Sequence, residues 1–148
     1  MINFKAEFWR VDPESIAPFV PGKTRTRSIR GGPLINLGEL QAALRSGDFD
    51  KDEQLWFATK KCGKDLESEG WSTDDVLQML VNLNGPRDFS KSEWCQVTGG
   101  SQVPCDVYAT RFDAERKCNS PNGLPVYIKF SIQDDGLVTI ALVSCHAS

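Results

Sequence analysis

Residues 125 to 146 constrain the fold more than any other stretch. Val126, Ile128, Phe130 and Ile132 alternate with Tyr127, Lys129 and Ser131, an Asp-Asp-Gly break follows, and a second strand-like run extends from 137 to 146. Alternation with a period of two marks a strand with one buried and one open face, and the break marks a hairpin. Runs at 88–97 and 105–112, separated by Thr-Gly-Gly-Ser, add two further strands. The C-terminal half therefore predicts an antiparallel sheet with an apolar and a polar face.

The register of the last hairpin decides what that polar face carries. A two-residue loop at Asp135-Gly136 sets residue 127 opposite 144 and 125 opposite 146, making Tyr127 and His146 diagonal neighbours on one face. With a three-residue loop they fall on opposite faces. Sequence alone leaves both registers open.

Helices precede the strands. Asn36 with Glu39 forms a capping-box-like start, Leu37, Leu40 and Leu44 recur at helical spacing, and Gly47 stops the run. Ser72 and Asp75 make a second box before the stripe Val76, Leu77, Leu80 and Leu83, which Gly85-Pro86 ends. Between them, residues 55–69 read as strand at Leu-Trp-Phe-Ala and as helix further on. Helices followed by an antiparallel sheet predict an α+β domain with two to three helices on one face, leaving the other free for function. At 148 residues one domain is expected, with 1–36 as an N-terminal strand (Ile2, Phe4, Ala6, Phe8) and basic arm of the domain formed by 37–148.

Composition excludes several function classes. Five cysteines at 62, 95, 105, 118 and 145 form no CxxC and leave one over in any pairing, and a single histidine, His146, removes most metal sites, so no metal or other cofactor is expected. No apolar run reaches the ~18 residues of a membrane span, and the first residues lack the uninterrupted apolar stretch of a signal peptide, so no membrane partner and a cytoplasmic location are expected. Net charge is −3 but uneven, with six Lys/Arg against three Asp/Glu in residues 1–37. The basic cluster Lys23, Arg25, Arg27 and Arg30 is the one stretch suited to phosphate contact, where an acidic body disfavours nucleic acid.

The chemistry that such a polar face can support is transesterification of RNA, in which a 2′-hydroxyl attacks the adjacent phosphate. It needs a proton acceptor, a proton donor and cations for the charge developing on phosphorus. His146 suits proton transfer near neutral pH, Lys91 and Arg111 suit the phosphate, Tyr127 suits stacking or hydrogen bonding, and Lys129 adds to the RNA-binding surface. Taken singly, each of these is an ordinary exposed-face residue.

Taken in order, their surroundings resemble one family. The segments LGELQAALRSG (37–47), LVNLNGPR (80–87), DFSKS (88–92), CDVYATRF (105–112), PVYIKF (125–130) and VSCH (143–146) are similar to the MqsR (motility quorum-sensing regulator) toxins. The resemblance spans residue 37 to the end. It implies a RelE-like fold and a metal-independent mRNA endoribonuclease that inhibits translation, held in check by a cognate antitoxin protein and with the ribosome as a further partner. It also implies Lys91, Tyr127 and Arg111 as active-site residues, with His146 where the family has a lysine. Cys105 stands where the family has a glutamine, which removes a two-sided hydrogen-bonding side chain. The acidic balance, residues 1–36 and the longer hairpin depart from the pattern. The alternative is a toxin-like fold without catalysis that acts as a binding or regulatory module. An unrelated α+β protein would be indicated by residues 1–36 packing over Tyr127 and His146.

Overall fold

A computed structural model describes residues 8–20, 27–47, 49–134 and 138–147. It is an α+β domain built on a seven-stranded sheet in the order β1-β3-β4-β6-β7-β2, with β5 beside β4. The strands are β1 (Ser28–Ile29), β2 (Leu55–Phe57), β3 (Phe89–Gln96), β4 (Gln102–Asp113), β5 (Cys118–Asn119), β6 (Leu124–Asp134) and β7 (Val138–Ala147). The helices are α1 (Leu37–Ser46), α2 (Lys60–Glu69), α3 (Thr73–Val81) and the single turn α4 (Gly85–Asp88). The sheet is antiparallel except that β2 joins β7 in parallel, so the purely antiparallel expectation is corrected at one edge. Both halves of the ambiguous 55–69 stretch are real, strand and then helix.

Helix boundaries follow from caps. Asn36 accepts from Glu39 N–H and Gly47, at φ 79°, closes α1. Ser72 and Asp75 exchange hydrogen bonds as a full capping box on α3. Gly85-Pro86 does not end that helix as expected. Asn82 ends it, and Gly85 and Pro86 open α4, where a missing proline N–H costs nothing.

The helices cover one sheet face. Leu37 and Leu40 of α1, Cys62 and Leu66 of α2, and Val76, Met79 and Leu80 of α3 pack on Tyr108, Phe112, Val126, Ile128, Phe130, Ile132, Ile140, Leu142 and Cys145. Gln41 of α1 ties the pair of helices by donating to the carbonyls of Leu80 and Leu83. Phe8, Trp9, Leu34 and Ile35 join this same core, so the described part of the arm packs on the helix side. Buried Asp106 anchors it by accepting from the Leu34 and Ile35 amides and from Ser92 Oγ at 2.6–3.0 Å, while burial pushes its carboxyl pKa up. The expected strand at Ile2, Phe4 and Ala6 lies outside the described residues. Among the described residues, Ser28–Ile29 is the strand that borders the outer edge of β3.

The sheet is strongly curled. Although β3 and β2 are separated by three strands, Thr98 N–H at the end of β3 donates to Ala58 O at the end of β2, 2.7 Å away. Small side chains fill the pinched inner face: Ala58, Cys95, Val97, Val103, Cys105, Ala141 and Val143. All five cysteines are free thiols.

Candidate functional site

The last hairpin starts in the three-residue register and then leaves it. Asp134 pairs with Val138, which leaves three residues between them and, continued, would place Tyr127 and His146 on opposite faces. The register then changes between Lys129 and Phe130: Phe130 pairs with Leu142 but Lys129 with Ser144. Val143 is the extra residue of a β-bulge, and the shift brings Tyr127 directly opposite His146. Their rings stack at 5.2 Å between centroids and 22° between planes. A direct pair thus replaces the expected diagonal.

Strand alternation puts the remaining residues on the same face. Lys91 pairs with Val107 and Val107 with Lys129, while Ala109 pairs with Tyr127 and Arg111 with Pro125. Lys91, Arg111, Tyr127, Lys129 and His146 therefore share the face that the helices leave uncovered. The Lys129 ammonium sits over the Tyr127 ring at 5.9 Å, a cation–π contact. His146 Nδ1 lies 2.9 Å from Ala147 O. A carbonyl oxygen can only accept, so in a neutral ring this contact fits the tautomer in which Nδ1–H donates to Ala147 O and Nε2 is left open.

One residue that sequence reasoning missed sits between the lysines. Glu93 lies 2.8 Å from Lys129 Nζ and 3.6 Å from Lys91 Nζ. Burial pushes the Lys129 pKa down, but the hydrogen bond and charge of Glu93 and the nearby Cys95 outweigh it, leaving the pKa above the ordinary lysine value. Lys129 is thus a fixed cation. The signal was present in Lys91-Ser92-Glu93, since residues two apart on a strand share a face.

Two expectations change in detail. Arg111 is exposed and donates from Nη1 to Gly123 O at 3.2 Å, so its guanidinium leans toward the edge of the face. The basic cluster is engaged in part: Arg27 donates to Trp94 O and lies over the Phe19 ring at 5.2 Å, and Arg30 is exposed. Lys23 and Arg25 lie outside the described residues. Cys105 is fully buried in the pinched inner cluster, where desolvation raises its pKa well above the ordinary thiol value, so it presents no hydrogen-bonding edge to a ligand.

The chain matches no family model, no curated protein and no solved structure. The reading of the face consequently rests on its own geometry. What that geometry offers is a ring nitrogen with a free lone pair, an aromatic platform, one fixed and one exposed ammonium, and a guanidinium. No helix among the described residues is long and apolar enough to cross a membrane.

Proposed function

We propose that the protein is a metal-independent endoribonuclease of the RelE-like, MqsR-type toxin class, acting on mRNA in the cytoplasm and neutralised by a cognate antitoxin. The observation that carries this reading is the Tyr127–His146 stack with Lys129 above the tyrosine and Lys91 on the same face. In this reading a base stacks against the aromatic pair and His146 Nε2 takes the proton of a 2′-hydroxyl. The 2′-oxygen then bonds to phosphorus, the bond to the 5′-oxygen breaks, and that oxygen takes up a proton from the Lys91 ammonium or from water. Lys129 and Lys91 balance the charge that builds on the phosphate. The products are a 2′,3′-cyclic phosphate and a 5′-hydroxyl.

Purified protein incubated with a defined RNA in EDTA tests this. Cleavage that survives chelation and leaves a 5′-hydroxyl is expected; 5′-phosphate products, or loss of cleavage with the chelator, would overturn the acid–base mechanism. A second reading, a binding module that does not cut, is favoured by Glu93, whose carboxylate already occupies both ammonium groups. Growth separates the two, because a catalytic toxin expressed alone arrests growth and a Lys91→Ala change relieves it.

A further inference from the structure

The sheet face that carries the candidate site does not end at Arg111. β3 borders β4 only as far as the Phe89–Tyr108 pair, and β5 borders the same side of β4 only from the Phe112–Asn119 pair onward, since β6 occupies the other side. Ser120 N–H, just past β5, donates to Arg111 O at 2.9 Å, so Ala109 and Thr110 of β4 open onto a notch of about 470 Å³ between α4 and β5. Its lining includes Arg87, Asp88, Arg111, Asn119, Ser120 and Pro125. Two arginines, Arg87 and Arg111, line this space. Arg87 is 70% exposed and uses only Nε on buried Asp88, at 3.0 Å, which leaves the outer edge of its fork unoccupied by that pair. Arg111 spends one N–H on Gly123 O.

The notch adjoins the stack. Ala109, on its rim, is the direct partner of Tyr127, and Arg111 stands two residues further along the strand, about 7 Å away at the usual strand rise. His146 stands on β7, two strand spacings or about 10 Å from β4 across β6, so an RNA strand that crosses the sheet from His146 carries its next phosphate toward the long Arg111 and Arg87 side chains. The space suits one nucleotide, and Asp88, the only carboxylate among the described residues that line it, is paired and buried.

We infer that this notch is a second nucleotide subsite, in which Arg87 and Arg111 grip the phosphate next to the scissile one and the pocket takes the attached nucleoside. The inference rests on the ribonuclease reading and adds where the substrate continues. It makes Arg87 a binding residue remote from the reacting atoms. On that assignment Arg87 acts through substrate length, contributing nothing to a substrate too short to reach it.

Cleavage of a dinucleotide and of an octanucleotide by the unaltered chain and by Arg87→Ala and Arg87→Glu tests this, with thermal melting as the control on folding. Expected is a rise in KM for the octanucleotide of about tenfold or more with Arg87→Glu, an unchanged kcat, and no change for the dinucleotide. The salt dependence of octanucleotide binding should flatten by about one phosphate contact in Arg87→Ala. Equal losses on both substrates, or no loss on either, overturn the notch while leaving the catalytic reading intact. Absence of cleavage and of RNA binding in the unaltered chain overturns both.

Discussion

At the scale of single residues, exposure separates chemistry from stability. Lys91 has a half-exposed side chain and His146 packs only its ring face against Tyr127, so neither fills the core. Lys91→Ala and His146→Ala should each slow RNA cleavage by about 10² or more, the usual scale for losing a transition-state cation or an acid–base group, while melting temperature stays nearly constant. Loss of cleavage together with folding would assign them a structural role. Glu93→Gln keeps an acceptor for Lys129 yet removes the charge that competes with phosphate. Tighter RNA binding and a steeper salt dependence are expected, measured by fluorescence anisotropy, and weaker binding would mean that Glu93 orders the lysines rather than masking them. Much of the site was legible at this scale, because alternation alone assigns Tyr127 and Lys129 to one face. The lean of Arg111 was not, since it depends on Gly123, where an added Cβ would come within 2.4–2.7 Å of the Phe112 and Asp113 backbone.

At the scale of elements, the bulge in β7 is held from outside the hairpin. Thr59 Oγ1 donates to Val143 O at 2.9 Å and accepts from Cys62 N–H at 3.1 Å, so one hydroxyl both braces the bulge and caps α2. Thr59→Val should lower stability by about 1–2 kcal/mol, the range for a lost cap, and should also slow cleavage by loosening His146. Ser72→Ala, a cap of similar weight on α3, should match the loss in urea denaturation without slowing cleavage. Equal kinetic effects of the two would remove the bulge from the mechanism. The neighbouring Asp75 has a second partner in Lys117. Burial pushes the Asp75 carboxyl up, but Lys117 and the Ser72 amide outweigh it and hold the pKa below its ordinary value. Its contribution to stability is therefore complete above about pH 4 and lost as pH falls through the lower folded value. Asp75→Asn should abolish that part of the acid-side loss in a pH series of denaturation curves. Caps and stripes made the helices legible; the bulge was not, because nothing between 138 and 146 marks Val143 as extra until Thr59 is brought beside it.

For the molecule as a whole, the helix-side core was readable from periodicity and the curl was not. Pinching the sheet depends on the hydrogen bond between Thr98 and Ala58 and on small side chains beneath it, among them Cys95 and Cys105, which a count of cysteines treats as redox or metal candidates rather than as filling. Acidic composition argued for a basic arm as the RNA contact, yet Arg27 is spent on Trp94 O and Phe19. Arg27→Ser should therefore cost about 0.5–1 kcal/mol in stability and leave the salt dependence of RNA binding unchanged, whereas a flattened salt slope would return the arm to the RNA. The bulge also gives β7 slack. It contains one residue more than its pairing with β6 requires, so a one-residue deletion near Val143 can be absorbed by straightening the strand, with His146 still opposite Tyr127. In β6 between Phe130 and Tyr127 there is no spare residue, and the same loss would turn Tyr127 toward the helices. Shortening by one residue is thus a tolerable accident in one strand of this hairpin and a change of side in the other.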